Sequence, residues 1–275
     1  MSSINDISGI FSKTERMPML FLGHGSPMTA IEENQFVNGF RTIAKTITRP
    51  NAILCISAHW YINGTKVTAM EMPRTIHDFG GFPKALYEVQ YPVKGSPALA
   101  KETSQLLDST FVGLDQTWGL DHGSWSVIKH LYPDADVPVV QLSIDYTKPA
   151  GYHFELAKQL TSLRDEGILI IGSGNIVHNL GLVDFRNFDK ENYGFDWAFE
   201  ARDTINKLLL DGNFKSLTEY EKLGKAAQLA IPTPDHYLPL IYVLGLIQKG
   251  ETMNFFNDKL VAGSLSMTSL KIDKD

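Results

Sequence analysis

The chain has 275 residues, 43% of them hydrophobic, which is enough to bury one large core or two small ones without disulfide support. Its formal net charge is -6 and its basic residues are scattered, which argues against a nucleic-acid partner or an anionic membrane surface and leaves a small molecule as the expected ligand. One cysteine, Cys55, sits inside the apolar run AILCIS, so no internal disulfide can form, and a buried thiol in a reducing, cytoplasmic compartment is expected.

Residues 1–16 lack a basic region followed by an apolar one, and no stretch of the chain approaches the length of a membrane span. They read as a flexible N-terminal arm before a single domain over residues 17–275. Short apolar runs bounded by Gly, Pro or polar residues then recur as MLFLG, AILCIS, VPVVQLSI and GILIIG, the pattern of buried strands. Between and after them lie segments with helical spacing: SWSVIKHLY after Gly123, GYHFELAKQLTSL before Arg164, and NYGFDWAFEARDTINKLLL ending at Asp211 and Gly212. Alternating strand and helix predicts an α/β fold, a mainly parallel central sheet flanked by helices, with ligands at the carboxyl ends of the strands. Residues 66–95 differ in texture, with Pro, Gly and aromatics crowded around HDFGGFP, and read as an excursion from the sheet that forms a satellite core or a pocket wall.

Five of the eight histidines stand where strands end or glycine-flanked turns begin. His24 follows MLFLG, His59 ends the second strand in SAHW, and His122 lies in LDHGSW ahead of a helix. His178 follows the strand GILIIG in GSGNIVHN, and His236 stands in PTPDHYLPL. Strand ends of an open α/β sheet meet in one crevice, so these side chains can converge although they are far apart in sequence. Several neutral imidazoles around an open position describe a catalytic metal site, although the spacing matches neither a zinc finger nor H-E-x-x-H. His130 and His153 fall on helices and read as structural; His77, in the aromatic excursion, reads equally well as structural or as part of a pocket. The turn GSGNIV fails the dinucleotide fingerprint because Val177 replaces the third glycine, and Ser26 and Ser124 read as helix caps.

The motifs GHGSPM, ISAHW, HDFGGFP, GLDHGSW, VPVVQLSID, IIGSGNIVHNLG and TPDHYLPL together resemble the DOPA-type class III extradiol ring-cleavage dioxygenases. The resemblance runs in order from Met17 to the C-terminal GSLSMTSLKI. It implies a LigB-like three-layer α/β/α fold and 4,5-cleavage of DOPA or a related catechol by O2 to a muconic semialdehyde. It further implies one divalent metal per chain, Fe(II) for activity, with Zn(II) expected in purified material because imidazole-rich sites favour it. By the same resemblance His24, His59 and His236 match the metal ligands, with Asp235 beside His236 as the competing candidate. His178 matches an acid/base or additional ligand, and His122 a histidine near the substrate. Trp60, His77 and Phe79 are then candidates for the wall of a slot for a flat ring. The partners implied are a small catechol and O2, with no nucleic acid and no membrane; oligomeric state has no signature. The rival readings are a zinc hydrolase, with His178 or Asp235 deprotonating a metal-bound water, and a non-catalytic metal-binding protein.

Overall fold

The computed structural model describes residue 11, residues 13–188 and residues 190–274. Its strands are β1 (Met19–Gly23), β2 (Ala52–Ile62), β3 (Thr65–Thr68), β4 (Val112–Asp115), β5 (Val139–Asp145), β6 (Ile168–Gly174), β7 (Glu251–Phe256), β8 (Leu260–Val261), β9 (Leu265–Ser266) and β10 (Ser269–Lys274). Eight of them form one sheet in the order β4-β3-β5-β2-β6-β1-β10-β7, and β8 pairs with β9 in a short ribbon. The four runs recognised in the sequence form its centre, β5-β2-β6-β1, and every pairing among them is parallel. Both faces of these strands are covered, which is why they read as unbroken hydrophobic runs. The flanks join the centre antiparallel, through β3 against β5 on one side and β10 against β1 on the other.

Alternation along the central strands divides their side chains between two cores. Met19, Phe21, Leu54, Ile56, Ile168 and Ile170 face one side, where Leu156, Ile205 and Leu240 come from the helices Ala150–Lys158, Asp196–Leu210 and Leu238–Gly245. Leu20, Leu22, Ile53, Cys55, Leu169 and Ile171 face the other, against Phe40 of helix Gln35–Ala44 and Trp125 and Ile128 of helix His122–Leu131. The molecule is therefore the expected three-layer α/β/α single domain. Helix His122–Leu131 is capped by Asp121, whose carboxylate accepts from the Ser124 amide at 3.1 Å, so Asp121 takes the role expected of Ser124; Ser26 does cap a turn, accepting from the Met28 amide at 3.2 Å.

The excursion begins on β3, leaves the sheet and returns Leu86, Tyr91 and Val93 to the second core. Most of the arm expected over residues 1–16 lies outside the described residues. At its end, the Thr14 amide donates to the Asp165 carbonyl at 2.8 Å and Arg16 pairs with the Asp165 carboxylate at 2.7 Å. Among the described residues no helix is long and apolar enough to cross a membrane.

Candidate active site

Strands β1, β2 and β6 deliver three of the histidines, His24, His59 and His178, to one place. His24 follows β1 directly, its amide bonded to the Gly174 carbonyl at the end of β6. Its flanking glycines have separate causes: Gly25 has a φ of +62°, which favours glycine, and a Cβ on Gly23 would meet the Met267 backbone at 2.6 Å. His59 lies inside β2 rather than at its end. Pairing with β5 steps from Ile56 to Tyr61 on β2 while β5 advances only from Leu142 to Ile144, so residues 57–60 bulge. The bulge begins where β2 stops pairing with β6, at Ser57 opposite Ser173, and a bulge there turns a side chain toward the crevice.

His178 stands four residues beyond β6, held by its amide to the Ala230 carbonyl at 2.8 Å and by a bridge to Leu265. His236 occupies the turn that starts at Pro234 and leads into helix Leu238–Gly245. The ring centroids of His24, His59 and His236 form a nearly equilateral triangle with sides of 5.1, 5.2 and 5.0 Å. His122 lies against His59 at 3.9 Å, and His178 stacks on His236 at 3.4 Å with the planes 7° apart. All five histidines singled out in the sequence are therefore brought together. Two triplets have ligand atoms within 4.8 Å of one another: His24, His59 and His122, and His178, Asp235 and His236.

Hydrogen bonds decide which nitrogens face inward. The Ser173 hydroxyl donates to the Gly123 carbonyl, so its oxygen accepts from His24 Nδ1 at 3.0 Å, leaving His24 Nε2 without a proton. The Asp235 carboxylate likewise accepts from His236 Nδ1. His59 Nε2 lies 3.2 Å from His24 Nε2. Two ligands bound to a first-row metal at about 2.1 Å are separated by roughly 3 to 3.4 Å, so this pair has the spacing a shared ion imposes. His24, His59 and His122 bring their ligand atoms close enough for one divalent ion, and His236 belongs to the second triplet.

The centre opens into a cavity of about 500 Å³ lined by His24, His59, His122, His178 and His236 together with Asp78, Phe79, Phe82, Met28, Leu180, Val183, Phe185 and Phe188. Of the expected wall residues, only Phe79 is in place, edge-on to His122 at 5.5 Å. Trp60 is a correction: side chains alternate along a strand, so with His59 turned inward Trp60 points away, buried and stacked on Trp118 at 5.7 Å. His77 is a second correction. Its Nε2 bonds the Val89 carbonyl at 2.9 Å and its ring packs on Trp125, outside the cavity.

The catalytic LigB subunit of aromatic ring-opening dioxygenases provides a family pattern that matches residues 18–268. The chain belongs to this family. It is 46% identical to the 4,5-DOPA dioxygenase extradiol of Escherichia coli over 97% of this chain and 98% of that protein. It is 33% identical to the 4,5-DOPA dioxygenase extradiol of Beta vulgaris over 91% and 94%. The crystal structure of an uncharacterized Escherichia coli K12 protein aligns with a TM-score of 0.81 at 42% identity, covering 94% of this chain and 100% of that one. The LigB relationship makes the chain an aromatic ring-opening dioxygenase, a class that works through a metal, and the histidine cluster is where this member can hold one.

Electrostatics in this LigB-family site disfavour the charged form of three of the imidazoles. Burial, then the neighbouring histidines, hold His24 and His59 well below the ordinary histidine range; burial and His236 lower His178 to about 3. His178 therefore does not titrate near neutrality on its own, as an isolated imidazole would. Burial pushes Asp235 up, but the bond and charge of His236 outweigh it and leave the carboxyl at about 2. Sequence reasoning missed Asp78, Phe82 and the segment over residues 180–188. Asp78 and Phe82 were visible in HDFGGFP as the charge and the second aromatic of an aromatic-rich loop. Leu180 and Phe185 lie on short 3-10 turns with no strand or helix period to mark them.

Proposed function

We propose that the chain is an extradiol dioxygenase that cleaves DOPA between C4 and C5 to a muconic semialdehyde. The observation that carries the reading is the pair of inward Nε2 atoms 3.2 Å apart at the base of a cavity whose outer wall is aromatic and aliphatic. That is a metal seat opening on a slot for a flat ring. Relatives named for 4,5-DOPA cleavage supply the substrate and regiochemistry. The family relationship favours this chemistry over the zinc hydrolase and over a non-catalytic metal-binding protein.

In this reading His24, His59 and His236 hold one divalent ion, Fe(II) in the working enzyme, with Zn(II) competing during purification. Bound Fe(II) would supply chelation of the two ring oxygens and electron exchange with O2. His178 is the acid/base rather than a fourth ligand. His178 stacks on His236 with the planes 7° apart, and in this reading it handles the proton while His236 would hold the ion. Neutral His178 accepts a phenolic proton, and the negative charge of the catecholate opposes the burial that otherwise disfavours its imidazolium form. His122, on the cavity wall, orients the substrate, its bare Nε2 accepting from a ring hydroxyl. Phe79 and Phe82 flank the ring, while Leu180, Val183, Phe185 and Phe188 exclude water. One C–C bond breaks and both atoms of O2 enter the product, one in a carboxylate and one in an aldehyde, so no external reductant is consumed. We assign the enzyme to a reducing cytoplasm on account of its lone cysteine, and its catalytic domain to residues 17–275 with residues 1–16 as an arm.

The test is parallel anaerobic reconstitution with Fe(II) and with Zn(II), followed by DOPA and then oxygen. Uptake of one O2 per DOPA with a yellow product in the iron sample alone supports the assignment. Absence of uptake with DOPA and with other catechols, in a folded and metal-loaded protein, removes it.

A further inference from the structure

The loop that walls the cavity also reaches beneath it. Asp78, next to Phe79 in HDFGGFP, places Oδ2 3.0 Å from His122 Nδ1 and 3.3 Å from His59 Nδ1, while its Oδ1 accepts the His122 amide at 2.8 Å. Its side chain is 18% exposed, so water competes little for these positions. As the rings stand neither contact is aligned as a hydrogen bond, and His122 Nδ1 is buried with no aligned partner; Asp78 Oδ2 is the acceptor within reach of both rings, and its two lone pairs suffice for two protons after a small turn of each ring. A proton on Nδ1 of a neutral imidazole leaves Nε2 bare. For His59 that bare nitrogen is the one 3.2 Å from His24 Nε2.

We propose that Asp78 is a positioning residue that sets the tautomers of His59 and His122 together, giving His59 a free Nε2 for the metal and His122 a free Nε2 toward the cavity. His24 and His236 have acceptors of their own in Ser173 and Asp235. Asp78 differs from both in serving two rings, and in sharing a loop with Phe79 and Phe82, the aromatic wall of the cavity. Acceptors placed on the far nitrogen of a ligating histidine fix its orientation and raise its basicity, and their loss costs about 10- to 100-fold in metal affinity.

Asp78→Asn is the informative change because it keeps the shape and an oxygen for the His122 amide, yet turns an NH2 group toward the two Nδ1 atoms. A donor there favours the opposite tautomer, with a proton on Nε2 of His59 where the ion must bind. This proposal rests on the metal reading above, so its measurements avoid turnover altogether. Competition of Zn(II) against a chromophoric chelator should show affinity lowered by about 10- to 100-fold in Asp78→Asn. Nitrogen-15 spectra of the metal-free wild type should show His59 and His122 protonated on Nδ1, with Asn shifting both toward Nε2. Wild-type rings protonated on Nε2 would overturn the proposal even if the variant failed to fold. Unchanged zinc affinity in a folded variant would overturn it as well, whatever the enzyme does with DOPA.

Discussion

At the scale of single residues, two rings of the centre have their outer nitrogens occupied, His24 by Ser173 and His236 by Asp235. Ser173 shows how little chemistry this needs: one hydroxyl, its proton committed to the Gly123 carbonyl, dictates which nitrogen of His24 is bare. His178 differs from them, its ring stacking on His236, and in the proposed mechanism it handles the proton. His178→Ala should therefore lower kcat by about 10²- to 10⁴-fold, the usual contribution of a positioned acid or base. Metal content, measured on the same sample, should stay at the wild-type level; loss of the ion would make His178 a ligand. Convergence of the histidines was legible in the sequence because three of them, His24, His59 and His178, sit on or just after the carboxyl halves of parallel strands. Trp60 was misplaced by reading its aromatic character ahead of the two-residue period that sends it away from His59. Asp78 escaped because its partners, His59 and His122, are remote in sequence, and nothing in HDFGGFP names them.

At the scale of elements, the decisive feature is the fit between the β2 bulge and the start of helix His122–Leu131. Asp121 caps that helix and accepts from Ser57 Oγ at 2.6 Å, while the His59 amide bonds the same Oγ at 3.3 Å, so one buried carboxylate steadies both helix and bulge. Gly123 makes the contact possible: a Cβ there would lie 2.5 Å from Ser57 Oγ and 2.7 Å from His59 Cδ2. Gly123→Ala should cost about 1 to 3 kcal/mol in stability through overpacking, read by urea denaturation. It should also weaken zinc binding, because the side chain displaced is the proposed ligand His59; unchanged affinity would mean that the bulge yields elsewhere. The central strands and the helices after β5 and β6 were readable from hydrophobic pattern alone. The bulge and the antiparallel flanks were not, since β7 is only half-buried and β8 and β9 have two residues each, too short for a period to declare itself.

At the scale of the whole molecule, burying so many neutral imidazoles links folding to pH. The folded values of His178 and His153 are lowered to about 3 and about 4, chiefly by burial, and those of His24 and His59 also lie well below the unfolded value near 6.5. Between these limits the unfolded chain binds more protons, so stability is fully present above about pH 6.5 and falls as the pH drops toward the folded values. At pH 5 the loss is about 2 kcal/mol for each of His178 and His153. Asp121 runs the other way, since burial and then Asp78 raise its carboxyl, but it is one group against four. Urea midpoints of the metal-free protein should therefore fall between pH 7 and pH 5, and a flat profile would contradict the buried-neutral assignment. A bound ion should raise the midpoint at pH 7, because it binds the folded site and requires the same neutral rings.

The central claim is that this histidine centre inserts both atoms of O2 into one catechol. The most direct measurement is the product mass after a turnover of the iron-loaded protein with DOPA under ¹⁸O2, the aldehyde being trapped at once with borohydride. Two labelled oxygens in a single ring-opened product are predicted. A product whose added oxygen comes only from water would contradict the account and return the site to hydrolysis.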